Sequence, residues 1–266
     1  MCVANSIQMP RKQYLRLKEI LKELTRLEYE RLQIPFQSGF DYREWPVLKP
    51  SPDGMDVNLS FMEWGLIPSF IHTRADAEKF RKGYKDERGY HPPRLTLNAI
   101  GEEMFDKTSF KDAARNRRCL VLSSGFFEWR HMPKTGKSGK VLKQTDTYPY
   151  CVFMPGHNYF YMAGIYQPFT DTETGELIDT FAIVTKKAIG IMEQVHNIKK
   201  RMPVIFTEED ARRWILPNLT DEEILELVNK DLHKAYLDAH PVAKDFRTSP
   251  HPSAEVMYTE LPALVK

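Results

Sequence analysis

The sequence predicts one α+β domain over residues 1–266, a twisted, mainly antiparallel and barrel-like β-sheet flanked by helices. Three observations predict it. Residues 150–154, 159–164 and 180–185 are dense in aromatic and β-branched side chains, as strands are. These strands do not alternate strictly with helical stretches, which argues against a parallel doubly wound sheet. At 42% hydrophobic and 12% aromatic, 266 residues bury a sizeable core, and no repeat or linker-like stretch divides them.

The other elements follow in chain order. Residues 11–32 predict an amphipathic helix, with Leu17, Ile20, Leu21, Leu24 and Leu27 at three- and four-residue steps. Residues 35–54 are proline-rich and read as irregular. Residues 57–62 alternate like a short strand. Residues 76–93 are charged and polar, as in a surface loop or insertion. Residues 109–116 read as a short helix capped by Thr108 or Ser109, and 119–122 as a buried strand. Residues 132–147, rich in Gly, Lys and Ser, read as a mobile connection. Residues 207–214 and 220–236 predict helices, the second opened by a Thr220–Glu223 capping box.

Composition narrows the function. A formal net charge of +2 is too small to mark a nucleic-acid binder by itself. The three cysteines, Cys2, Cys119 and Cys151, are odd in number and lack paired spacing, which argues for a reducing compartment. The first residues lack a secretory pattern. No stretch approaches the roughly 18 apolar residues of a membrane span. The expectation is a soluble, cytoplasmic protein that needs no cofactor and no metal.

Cys2 is the first residue able to carry chemistry. Removal of Met1 would leave an α-amine, with a pKa of roughly 7.7–8.0, beside a thiol. Such an aminothiol traps an aldehyde as a Schiff base and then as a thiazolidine. The thiolate alone could instead attack a carbonyl, as in N-terminal nucleophile hydrolases. In Trp64-Gly65-Leu66-Ile67-Pro68-Ser69-Phe70, Trp64 and Phe70 flank a turn and could stack on bases or pack a core. Asn98 offers an amide that could hold a substrate or simply close a turn. Glu128, inside Gly125-Phe126-Phe127-Glu128-Trp129, is either a buried general acid or the water-facing residue of an alternating strand. His196 can shuttle protons, and Lys199, Lys200 and Arg201 suit phosphate oxygens.

In this order and spacing, Met1-Cys2, Trp64–Pro68, Gly125–Trp129, and His196 with Arg201-Met202-Pro203 resemble the SOS response-associated peptidase (SRAP) family across nearly the whole chain. The resemblance implies a compact α+β domain, a monomer with a positive cleft for single-stranded DNA that is nucleoid-associated when bound to it. It also implies covalent capture of abasic sites through Cys2, with self-removal of Met1 as a further option. Asn98 would position the terminal residue, Glu128 would move protons around the Schiff base, and His196 would assist sugar ring opening or touch the neighbouring phosphate. Arg201 would hold phosphate, Thr185 would line the cleft, and Phe70 would lie against bases. The chain departs from the family's usual Cys-Gly-Arg start at Val3 and Ala4. It has Ile100 where a second Arg is usual, and Lys199 and Lys200 lengthen the segment before Arg201.

Three other readings stay open: an N-terminal nucleophile amidotransferase, a non-catalytic single-strand binder, and a metal protein built on Glu128/His131 and Glu193/His196. The last would need four long helices, and the sequence offers two.

Overall fold

The computed structural model describes residues 2–11, 26–51, 57–135, 140–231 and 237–265. Five strands close into a barrel. β3 (Glu44–Pro50) pairs with β4 (Val57–Trp64) and with β8 (Arg118–Ser123). β8 pairs with β11 (Phe160–Thr170), and β11 with β12 (Leu177–Lys187), all antiparallel. The closing contact is parallel, Thr180 and Phe181 of β12 against Glu63 and Trp64. Closure leaves no free edge on the barrel.

The sequence explains the packing. β8 is buried along its whole length, with the apolar run Cys119–Leu122 between Arg118 and Ser123. Trp45, Trp64 and Trp214 are enclosed, and each indole N–H reaches a backbone carbonyl: Leu122 at 2.8 Å, Leu97 at 3.0 Å and Cys119 at 3.1 Å. Gly65 has φ +130°, and a Cβ there would lie 2.6 Å from the Tyr42 ring, so the turn after Trp64 requires glycine.

A second sheet leans on the barrel. Its order is β15 (Asp238–Pro241), β10 (Val141–Phe153), β9 (Gly125–Thr135), β1 (Ala4–Gln8), β2 (Gln33–Ser38). Phe127 and Trp129 of β9 pack on Phe246, with ring centroids at 4.7 and 6.3 Å. Alternation along the strand therefore turns Glu128 to the opposite face, toward the barrel. β7 (Asn98–Ile100) runs parallel to β12, with Asn98 opposite Ile183. Asn98 and Glu128 thus approach one another from different sheets.

The mainly antiparallel, barrel-like α+β architecture is what the sequence predicts, but several elements differ. Residues 35–54 are not irregular: β2, β3 and a 3-10 turn (Gly39–Asp41) fill most of them. Pro46 and Pro50 lie outside Val47–Leu48, the stretch paired on both sides. Residues 76–93 are not a loop but a helix, α2, and a hairpin. α1 is the short helix Arg26–Arg31, and residues 12–25 of the expected first helix lie outside the described residues. α2 (Arg74–Lys82) is capped by Thr73 and is polar almost all round, so its period is hard to see. β5 (Tyr84–Asp86) and β6 (Gly89–His91) form the hairpin.

α3 (Lys111–Asn116) begins after Phe110 with no side-chain cap, so neither Thr108 nor Ser109 caps it. Residues 132–147 are largely paired strand, Met132 with Asp146 and Pro133 with Thr145, while 136–139 lie outside the described residues. α4 (Ile191–Val195) is a single turn leading to His196. β13 (Arg201–Pro203) and β14 (Ile205–Phe206) then return the chain to the barrel. α5 (Glu208–Trp214) is capped by Thr207, and α6 (Asp221–Asn229) carries the expected Thr220–Glu223 capping box. The predicted continuation of α6 over 232–236 lies outside the described residues.

Candidate active site

A cavity of about 400 Å³ opens between the barrel and the second sheet. Asn98, Glu128 and His196 line it, with Val3, Trp129, His131, Thr147 and Lys199 among the remaining wall residues. Phe40, Leu95 and Ile198 also line it and are 49%, 43% and 62% exposed, which makes an apolar rim. None of the acidic residues between 208 and 226 reaches this wall.

His196 is the best-held group. It ends α4, and its Nδ1 stands 2.7 Å from the Arg201 carbonyl oxygen. A carbonyl only accepts, so Nδ1 carries the proton and Nε2 is left as the acceptor. The intervening loop is a tight turn: Lys200 N–H donates to the His196 carbonyl at 2.8 Å, and Lys200 adopts φ +49°. Lys199 and Lys200 therefore build the turn that brings the Arg201 carbonyl back to the imidazole. Asn197 pins the loop to β9, accepting from His131 N at 3.0 Å and donating to His131 O at 2.7 Å.

Glu128 Oε2 lies 3.8 Å from His196 Nε2. That spacing suits an ion pair, yet both groups are buried and burial disfavours charge on each. Burial pushes the Glu128 carboxyl up to about 8, with Lys199 pulling the other way. Burial pushes the imidazole down to about 4. At neutral pH the pair is held as a carboxylic acid facing a neutral imidazole, a donor beside an acceptor.

Asn98 is 6% exposed, and neither atom of its amide has a hydrogen-bond partner among the described residues. An unsatisfied buried amide is costly, and this one has both its donor and its acceptor available on the cavity wall. Cys2 is fully buried beside this wall. Its thiol is pushed well above the usual thiol range, first by burial and then by the nearby Glu128 charge. The proton is therefore hard to remove from sulfur.

The other expected residues are placed differently. Trp64 has no exposed surface and stacks on Phe181 at 6.1 Å, so it packs the barrel and cannot meet DNA. Thr185 is also fully buried and donates to the Ala99 carbonyl at 3.3 Å, so it is not a cleft residue. The Arg201 guanidinium grips Glu102 through two bonds of 2.9 and 2.6 Å and donates to the Thr185 carbonyl at 2.7 Å. Its charge is neutralised there, and what it gives the site is its backbone carbonyl. Phe70 is 46% exposed, against Phe80 and away from the cavity wall. Lys199 lines the cavity and Lys200 is exposed.

The three arginines shortly before Cys119 are held within the fold: Arg115 pairs with Asp221, Arg117 with Asp112, and Arg118 donates to the Trp214 and Leu216 carbonyls. Sequence reasoning missed Asn197 and the wall residues Leu95 and Leu97. The period-two spacing of Leu95 and Leu97 just ahead of Asn98 was the available signal. Among the described residues no group of three His, Cys, Asp or Glu could hold a metal, and Glu128 and His131 share a strand rather than a helix. No described helix is long and apolar enough to cross a membrane.

The fold and the site define an α+β protein with one small closed barrel, in which the buried Cys2 thiol lies beside a cavity walled by Asn98, Glu128 and His196. The chain belongs to the family described as SOS response associated peptidase (SRAP), which matches residues 5–249. "Abasic site processing protein YobE" of Bacillus subtilis is 33% identical over 175 residues, 65% of this chain and 66% of its own length, just under two thirds. "Abasic site processing protein YoqW" of the same organism is 29% identical over 206 residues, 77% of this chain and 78% of its own. A crystal structure of a protein from Bacteroides thetaiotaomicron superposes with a TM-score of 0.77 at 27% identity, covering 96% of this chain and all of that one.

Proposed function

We propose that this protein captures abasic sites in single-stranded DNA as a thiazolidine on Cys2, once Met1 is gone. The observation that carries the reading is the meeting of the unpartnered Asn98 amide, the protonated Glu128 and the neutral His196 in one cavity beside Cys2. The names of the relatives YobE and YoqW supply the substrate class.

The raised thiol orders the steps. The α-amine, titrating near neutrality, attacks the ring-opened aldehyde first and gives a carbinolamine. Glu128 donates its proton to the carbinolamine hydroxyl, which leaves as water and gives the iminium. The thiol then passes its proton to the Glu128 carboxylate as sulfur bonds to the iminium carbon. One water is lost and Glu128 is restored as the acid. His196 Nε2, fixed as an acceptor, takes the C1 hydroxyl proton as the bond from C1 to the ring oxygen breaks and the aldehyde C=O forms, then gives that proton to the released ring oxygen and ends neutral. Asn98 holds the reacting end through its free amide.

The test is a denaturing gel of the mature protein with single-stranded DNA carrying one abasic site. A slow band that needs both Cys2 and the lesion is expected. A chain shown by mass spectrometry to lack Met1 that still forms no band would overturn the reading, and glutaminase activity in that sample would favour the amidotransferase.

A further inference from the structure

Residues 73–94 hold chemistry that the cavity does not use. Gly83, at φ +77°, turns the chain out of α2 into β5, and a Cβ there would sit 2.8 Å from the His91 carbonyl oxygen. Arg94 N–H closes the base of the hairpin by donating to the Phe80 carbonyl at 2.8 Å. Above that clamp, β5 and β6 pair only with each other, Tyr84 with His91, Lys85 with Tyr90 and Asp86 with Gly89.

The two faces of this ribbon differ. On one, Tyr84 stacks on His91 at 4.4 Å, and His91 Nε2 lies 3.1 Å from Asp86 Oδ1, so the groups satisfy each other. On the other, Lys85 and Tyr90 stand side by side, and Tyr90 is 68% exposed. Lys85, Arg88 at the tip and Arg94 at the base have no carboxylate partner among the described residues. An exposed ring next to unpaired cations suits a base beside its phosphates.

Charge and position agree. Between residues 73 and 94 seven basic side chains face four acidic ones, a surplus of three, while the whole chain carries only +2. Lys79 and Lys82 pair with Asp76 and Glu78, and Arg74 and Arg81 with Glu63 and Glu176, so the cations of this stretch left for a ligand are Lys85, Arg88 and Arg94. β6 ends at His91, and four residues later Leu95 lines the cavity. At about 3.3 Å per residue the ribbon begins within about 14 Å of the cavity mouth, two to three nucleotides away.

We propose that the β5–β6 hairpin is a second contact for the captured strand, stacking a flanking base on Tyr90 and taking its phosphates on Lys85 and Arg88. This rests on the reading of the cavity as a site for single-stranded DNA, and the experiment separates the two. Tyr90→Ala and the double variant Lys85→Ala/Arg88→Ala are compared with the parent on abasic strands of about 20 and about 5 nucleotides.

The expected result on the long strand is about tenfold weaker equilibrium binding for Tyr90→Ala. For the double variant the slope of log affinity against log salt should be shallower by about 1.4. Crosslinking of the short strand, and the crosslinking rate at saturating long strand, should match the parent. Parent-like affinity and salt slope in both variants, with unchanged melting temperature, would overturn the hairpin contact. Failure of the parent to crosslink either strand would sink the cavity reading instead, and binding to undamaged long strands would still decide the hairpin.

Discussion

His196 Nε2 stands 3.8 Å from Glu128 Oε2 while its Nδ1 is tied to the Arg201 carbonyl, so the imidazole offers Glu128 an acceptor and never a donor. The relationship fixes which proton can move. It also links stability to pH. Glu128 is pushed up to about 8 in the fold, so between its ordinary value near 4.5 and 8 the folded chain holds a proton that the unfolded chain has lost. Stability from this group is full at low pH and declines as pH rises through that window. His196, pushed down to about 4, works oppositely: the unfolded chain binds the extra proton between 4 and 6.5, so stability falls as pH drops through that range.

The two slopes oppose each other below about 6.5 and only the Glu128 slope remains above it. Glu128→Gln should therefore gain stability over the parent as pH rises from 5 to 8, reaching on the order of a few kcal/mol. Denaturant titrations at several pH values check this. A constant difference across the range would mean that Glu128 is already ionised in the fold. The same variant should slow DNA capture by about a hundredfold or more, because a carboxamide donates no proton to the leaving hydroxyl.

Asn197 touches no expected substrate atom, yet it makes both hydrogen bonds that pin the His196 loop to β9. Asn197→Ala leaves the His131 N–H and C=O without those partners, at a cost of about 1–3 kcal/mol. Capture at saturating DNA should fall while DNA affinity stays near the parent value, since the imidazole loses its orientation and the strand keeps its contacts. Parent-like capture with lowered melting temperature would make Asn197 purely structural.

The cations near His196 should separate by salt dependence. Lys199 lines the cavity, Lys200 is exposed, and Arg201 is held by Glu102. Lys199→Ala/Lys200→Ala should flatten the salt slope of single-strand binding by about 1.4. Arg201→Gln should leave the slope nearly unchanged and lower stability, because Glu102 loses its partner. A slope change with Arg201→Gln as large as the lysine effect would restore a phosphate role for that arginine. Lys199→Ala should also raise the Glu128 pKa further, moving the alkaline limb of the capture profile upward.

The two sheets were legible where their strands are rich in aromatic and β-branched residues, as in Tyr150–Cys151–Val152 of β10 and Phe181–Ala182–Ile183–Val184 of β12. The fold was hidden where proline or charge masks the period. β3 carries Pro46 and Pro50 and still pairs on both sides through Val47 and Leu48. α2 buries only Ala77 and Arg81 among its nine residues, so no apolar stripe announces it. At the site, Asn98, Glu128 and His196 could be picked out by residue type and order. Trp64, Thr185 and Arg201 could be picked out in the same way but point elsewhere, because spacing along a chain does not reveal which way a side chain turns. The Arg201 carbonyl, rather than its guanidinium, reaches the site, and no sequence pattern distinguishes the two.

Asn98 offers the sharpest separation of stability from function. Its amide is buried in β7 with neither atom partnered, a position that costs the fold free energy as long as no ligand occupies the cavity. Asn98→Leu has similar volume and no polar atoms. It should raise stability by about 1 kcal/mol, which for a chain of this size is a melting shift of roughly 2–4 °C. The same change should remove crosslinking to an abasic strand, because the reacting end loses the unpartnered amide that holds it. Asn98→Asp should lose both, since a buried carboxylate without a cation is costlier than the amide. Thermal melts and a denaturing gel on the same three samples decide the matter. A destabilised Asn98→Leu would show that the amide is satisfied within the fold, and its place in the capture site would then fall.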